Sequence, residues 1–181
     1  MKRIVLTAIT VSMLATACGN PEPKTINTIT EKIGNLTLET PTGWSKELSE
    51  YNNYVYYSYS SENDGDGFLS VVYDKEPSDN ISISDFDYLF KESHDGIDIV
   101  YTDISDSFLG DKPIRIGHGT WQYNFEGTVG DLYDLETIAM YDADLKKIEV
   151  SFMHKDELAN EGYADYAEKL IDTMNLVYDY N

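Results

Sequence analysis

The chain sets 33 acidic against 13 basic side chains in 181 residues, a formal charge of −20, and a surface this negative excludes nucleic acid and anionic lipid headgroups as partners. Its length makes one domain with a sizeable core the expectation, and its lone cysteine leaves no disulfide within the chain. Aromatic residues make up 13% of the sequence, enough apolar surface to fold rather than remain an acidic disordered chain.

At the start, Lys2 and Arg3 precede an uncharged, mostly apolar run over residues 4–14, and Ala15, Thr16 and Ala17 are the small residues that a signal peptidase accepts. The run is too short to cross a bilayer, which takes about 20 residues as helix. Cys18 follows directly, then the loop-like Gly19-Asn20-Pro21. The stretch Leu14-Ala15-Thr16-Ala17-Cys18 resembles the lipobox of bacterial lipoproteins. That resemblance implies transfer of a diacylglyceryl group to the Cys18 sulfur and cleavage before it. Two acyl chains, at about 0.8 kcal/mol per buried methylene, meet the condition for stable anchoring. Residues 1–17 are therefore expected to be a lipoprotein signal peptide, and Cys18 the lipid attachment site. Residues 18–32, with Pro21 and Pro23 and no sustained period, read as a flexible stalk. Residues 33–181 are expected to form a single globular domain, held at the cell membrane on its extracytoplasmic side.

Leu36 and Leu38 alternate with Thr37 and Glu39, a first strand that ends at Pro41-Thr42-Gly43, with Trp44 as a core plug beyond the turn. Residues 54–59 and 68–73 are the next strands, separated by the acidic turn Ser61-Glu62-Asn63-Asp64-Gly65-Asp66-Gly67. Ser84-Asp85-Phe86-Asp87 has the form of a capping box, and Phe86, Leu89 and Phe90 share one helical face, so a helix is predicted from Ser84 to the exit at Gly96. Strands follow over 97–104, 114–125, 132–141 and 147–154. In the second of these, Ile114 and Ile116 have one parity and Trp121, Tyr123 and Phe125 the other. Either Gly117-His118-Gly119 marks a bulge, or the strand is covered on both sides. A last helix is predicted from about residue 160 to Met174, with Leu176, Val177 and Tyr178 docking as a tail. The expected class is α+β, a largely antiparallel sheet of about six to seven strands flanked by two helices.

The first strand running into Leu38-Glu39-Thr40-Pro41-Thr42-Gly43-Trp44, the polar start of a helix at Ser82 to Ser84, the meander and the terminal helix together resemble the PsbP/Mog1-type alpha/beta fold. The resemblance implies an antiparallel sheet between helices, used mainly as a non-enzymatic binding or assembly module.

Glu62, Asp64, Asp66 and Gly67 copy the opening positions of a calcium loop, but its twelfth position, which needs a bidentate Glu, is Tyr73. A hydrated hairpin turn is the preferred reading there, and no metal or other cofactor is expected. His94, His118 and His154 are scattered without metal-ligand spacing. Ser78-Asp79-Asn80 lacks the other motifs of a penicillin-binding site, and no nucleophile elbow or phosphate loop occurs. The chain is accordingly not expected to be an enzyme. Tyr57 and Tyr59 share a face with Val55, whereas Tyr54 and Tyr56 point the other way and are the candidate interface. The expectation is a binding or assembly module for another envelope protein. The alternative is a small-ligand or cation-binding lipoprotein.

Overall fold

The computed structural model of the protein describes residues 25–61, 65–91, 96–155 and 162–177. The hairpin of β1 (Thr28–Ile33) and β2 (Leu36–Pro41) is joined on the far side of β2 by β10 (Asn175–Leu176), a three-stranded sheet. A seven-stranded sheet takes β3 (Ser45–Tyr51), β4 (Tyr54–Ser60), β5 (Gly67–Asp74), β9 (Lys147–Lys155), β8 (Thr128–Tyr141), β7 (Lys112–Phe125) and β6 (Ile97–Leu109) in that spatial order. Every pairing is antiparallel. One α-helix, α1 (Tyr163–Thr173), follows the meander. No helix among the described residues is long and apolar enough to cross a membrane.

Strand alternation assigns the two faces of the large sheet. Leu69 and Val71 of β5, Val150 and Phe152 of β9, and Ile138 and Met140 of β8 point to one side. There they meet Leu36 and Leu38 of the small sheet and Tyr166, Leu170 and Met174 at α1. Tyr166 and Leu170 recur one helical turn apart, so the helix buries a single stripe. Each fully buried aliphatic side chain of this kind contributes about 1.5–3 kcal/mol. The Tyr166 hydroxyl also donates to the Glu39 carbonyl at 2.7 Å, fastening α1 to β2. Trp44 closes one end of the core, its ring 6.3 Å from Phe152 and 6.1 Å from Tyr163.

Only one of the two expected helices is present among the described residues. Ile83–Phe86 is a single 3-10 turn, and the chain continues in turns to residue 91. The capping box does not form, because the Ser84 hydroxyl lies 2.7 Å from that of Ser82 and Asp87 is drawn to Arg115. Phe86 and Phe90 still bury, against Tyr141 at 5.0 Å and Tyr101 at 5.1 Å. A short strap over residues 83–90 therefore satisfies the apolar spacing without helical turns.

Two strands lie outside those predicted from the sequence. β1 falls largely in the segment read as stalk, and β3 is exposed along its whole length. β7 runs in unbroken register with β8 from Ile114 to Gln122, so Ile114 and Trp121 face opposite sides of a strand packed on both. The bulge sits across from the expected place, in β6, where Thr102 is the extra residue between Tyr101 and Asp103. The glycines have a different purpose. A Cβ on Gly117 would lie 2.5 Å from the Phe90 ring, and one on Gly119 would lie 2.2 Å from the Val100 carbonyl.

Candidate functional site

The inward face of β8 reads Asp134, Glu136, Ile138, Met140, an apolar row that turns acidic at one end. Opposite it on β7 stand Thr120, His118, Ile116 and Ile114. α1 covers the apolar end, but toward Glu136 it presents Ala164 and Ala167 beside Glu168 and Ile171, and the two small side chains leave a groove of about 600 Å³. Phe152, Ile116 and Ile171 form its apolar walls.

Glu136 is 7% exposed. Its carboxyl is pushed up from the ordinary value of 4.5 to about 7, first by burial and then by the negative charge of Glu168 on α1. Among the described residues no hydrogen bond reaches its oxygens, and the nearest cationic candidate is His118 Nδ1 at 3.5 Å. His154, 4% exposed, shares the groove. Its Nδ1 lies 3.1 Å from the Lys155 carbonyl, which can only accept, so Nδ1 carries the proton and Nε2 faces Asp134 at 4.0 Å.

The other face of the large sheet carries rings. In register across β5, β9, β8, β7 and β6 stand Phe68, Met153, Leu135 and Tyr133, Trp121 and Ile99. Phe68 and Tyr133 centre 6.0 Å apart, Tyr133 and Trp121 5.5 Å apart in an edge contact, and Tyr123 and Phe125 6.5 Å apart at the hairpin tip. Tyr123 is 40% and Phe125 46% exposed. The strap crosses this face, and Tyr88 and Leu89 line a cleft on either side of it. One cleft, of about 350 Å³, is floored by Trp121, Leu135 and Met153. The other, of about 290 Å³, is walled by Tyr54 and Tyr56, whose rings centre 6.2 Å apart.

The two tyrosines singled out in the sequence thus lie on the aromatic face, with Val55, Tyr57 and Tyr59 turned to the core. Cys18, Glu62, Asp64 and His94 lie outside the described residues. Asp66 stands beside Lys155, its carboxylate 3.9 Å from Nζ. Among the described residues no three His, Cys, Asp or Glu side chains are grouped to hold a metal ion. Sequence reading missed Glu136 and Trp121. The available signal for Glu136 was an acid at an inward position of a strand whose next inward residues are Ile138 and Met140.

No family model and no curated protein matches the chain. Among solved structures it is similar to cyanobacterial PsbP (CyanoP) from Synechocystis sp. PCC 6803, with a TM-score of 0.60 at 11% identity over 90% of this chain and 98% of that one. It is also matched to PA94 of Pseudomonas aeruginosa, a protein of unknown function, with a TM-score of 0.41 at 10% identity over 78% of this chain and 92% of that one. The first likeness establishes a PsbP-like fold.

Proposed function

We propose that this chain is a lipid-anchored, extracytoplasmic binding or assembly module. It is held at the membrane through Cys18 and meets another envelope protein with the aromatic face of its large sheet, without catalysis of its own. The observation that supports this reading is the row of rings from Phe68 through Tyr133 and Trp121 to the half-exposed Tyr123 and Phe125. Aromatic side chains bury large area on contact and lose little conformational freedom, which is why they dominate interface energetics. Tyr133 at the centre of the row is buried, Phe68 and Trp121 are partly covered, and the exposed pair Tyr123 and Phe125 at its tip gives a strongly charged molecule an apolar point of contact. The strap adds depth, since its two clefts can accept protruding side chains of a partner.

Two experiments test the two halves of the proposal. Cys18→Ser is expected to move the protein from the membrane to the soluble fraction, and unchanged membrane retention removes the tether. Tyr123→Ser combined with Phe125→Ser, both at exposed positions, is expected to abolish recovery of the partner with the membrane-held protein while leaving the melting curve in place. Undiminished recovery excludes this face as the contact.

A further inference from the structure

The groove beside α1 is independent of the aromatic face, and its chemistry is different. Glu136 is nine-tenths buried, its carboxyl meets no hydrogen-bond donor among the described residues, and it lines a cavity of about 600 Å³ with apolar walls. Such a volume lies within the range of small-molecule sites, which combine apolar walls with a few placed polar groups. Its oxygens open on the groove rather than on the packed core, with His118 Nδ1 at 3.5 Å as the nearest cationic group, so a donor arriving through the groove can reach them.

We propose that this groove binds a small organic cation, a primary alkylammonium, with its nitrogen at Glu136 and its carbon stem along Phe152, Ile116 and the alanines of α1. An ammonium supplies the donors that Glu136 lacks, and three N–H groups allow it to share a second carboxylate or a hydroxyl. Glu168 from α1, Asp134 from β8 and the Thr120 side chain border the same space. The stem accounts for the apolar walls, which a hydrated metal ion would leave unused. Ala164 and Ala167 provide the width for it. The charge of −20 raises the local concentration of cations at such a site.

Burial, and then the charge of Glu168, hold Glu136 against ionisation. Seating an ammonium reverses that preference, so Glu136 passes its proton to solvent as the ligand enters. The other titratable groups facing the site are His118 on β7, Asp103 opposite it on β6, Asp134 on β8, His154 on β9 and Glu168 on α1. Because Glu136 must give up its proton to hold the ammonium, binding weakens as the medium is acidified.

The test is calorimetric titration of hexylammonium chloride into the full-length protein at neutral pH, with sodium hexanoate as the same stem bearing the opposite charge. Hexylammonium is expected to bind with a proton released, read from the difference in heat between phosphate and HEPES buffers, and hexanoate is expected not to bind. Glu136→Gln preserves volume and is expected to weaken binding at least about tenfold and to abolish the proton release, with a melting temperature no lower than the parent's. Ala164→Leu, which narrows the groove without touching a charge, is expected to weaken binding as well. Absence of binding, equal binding of hexanoate, or affinity unchanged in Glu136→Gln overturns the proposal.

Discussion

The phenol of Tyr73 donates to the carboxylate of Asp142, a residue with no exposed surface, and this bond ties two parts of the large sheet that lie far apart in sequence. Tyr73 comes from β5, whereas Asp142 lies in the turn after β8. The same carboxylate accepts from Asn35 Nδ2 at 3.1 Å in the β1–β2 turn, and from the backbone amides of Asp144 and Lys146 at 2.8 Å each. Burial, followed by the bond to Asp142, holds the Tyr73 hydroxyl well above the ordinary tyrosine range.

Asp142→Ala leaves four donors in or near the interior without their acceptor. It is expected to lower stability by roughly 3–5 kcal/mol. Tyr73→Phe removes one donor and is expected to cost about 1–2 kcal/mol. Urea denaturation of both variants checks the order, and equal losses would show that Asp142 does not organise the turn.

Glu136 makes stability depend on pH. Its folded value of about 7 exceeds the ordinary 4.5, so between these values the folded protein keeps a proton that the unfolded chain has released. Stability therefore falls as pH rises through that interval, and the full cost, on the order of 3 kcal/mol, is present above it. Glu136→Gln is expected to exceed the parent in stability at about pH 8 and to converge with it as pH falls toward 4.5. Denaturation curves at the two ends of the interval measure the difference.

Much of this architecture is legible in the sequence, and the failures have identifiable causes. Leu36, Leu38 and the residues of β5 and β9 alternate because each strand has one face in the core. Ser45–Tyr51 shows no alternation because β3 is an edge strand exposed on both faces, held by backbone pairing to β4. The segment after Ser82 has the spacing of a helix, yet Phe86 and Phe90 find Tyr141 and Tyr101 through a 3-10 turn, so tertiary contacts override local pattern. Tyr54 and Tyr56 were visible as an outward pair. Glu136 was not, since its character comes from a helix that starts at Tyr163, far along the chain, and leaves room above it.

Gly119 and Gly110 are expected to respond very differently to alanine. A Cβ on Gly119 would stand 2.2 Å from the Val100 carbonyl and 2.8 Å from Tyr101 Cα, so the backbone of β6 must move, at a cost of about 3 kcal/mol. Gly110 has φ +63° but nothing within 4 Å of an added Cβ, and about 1–2 kcal/mol is expected from the left-handed conformation alone. Melting temperatures of the two variants give the comparison.

Arg115 ties the strap to the edge of the sheet. Its Nε donates to Asp106 at 2.8 Å, Nη2 reaches the second Asp106 oxygen at 3.3 Å, and Nη1 bonds Asp87 beyond the 3-10 turn. The guanidinium hydrogen bond holds the Asp106 carboxyl below the usual range. Arg115→Met keeps the stem and is expected to cost about 1 kcal/mol while speeding amide exchange over residues 83–90. Exchange unchanged in that segment would show that Phe86 and Phe90 alone hold the strap.

The most direct measurement places the photo-reactive residue benzoylphenylalanine at Tyr123 on the aromatic face and, separately, at Leu48 on the exposed edge strand β3, in the membrane-held protein. A contact through the ring-bearing face predicts one discrete covalent adduct from position 123, suppressed by Phe125→Ser, and none from position 48. No adduct at 123, or the same products from both positions, would contradict it.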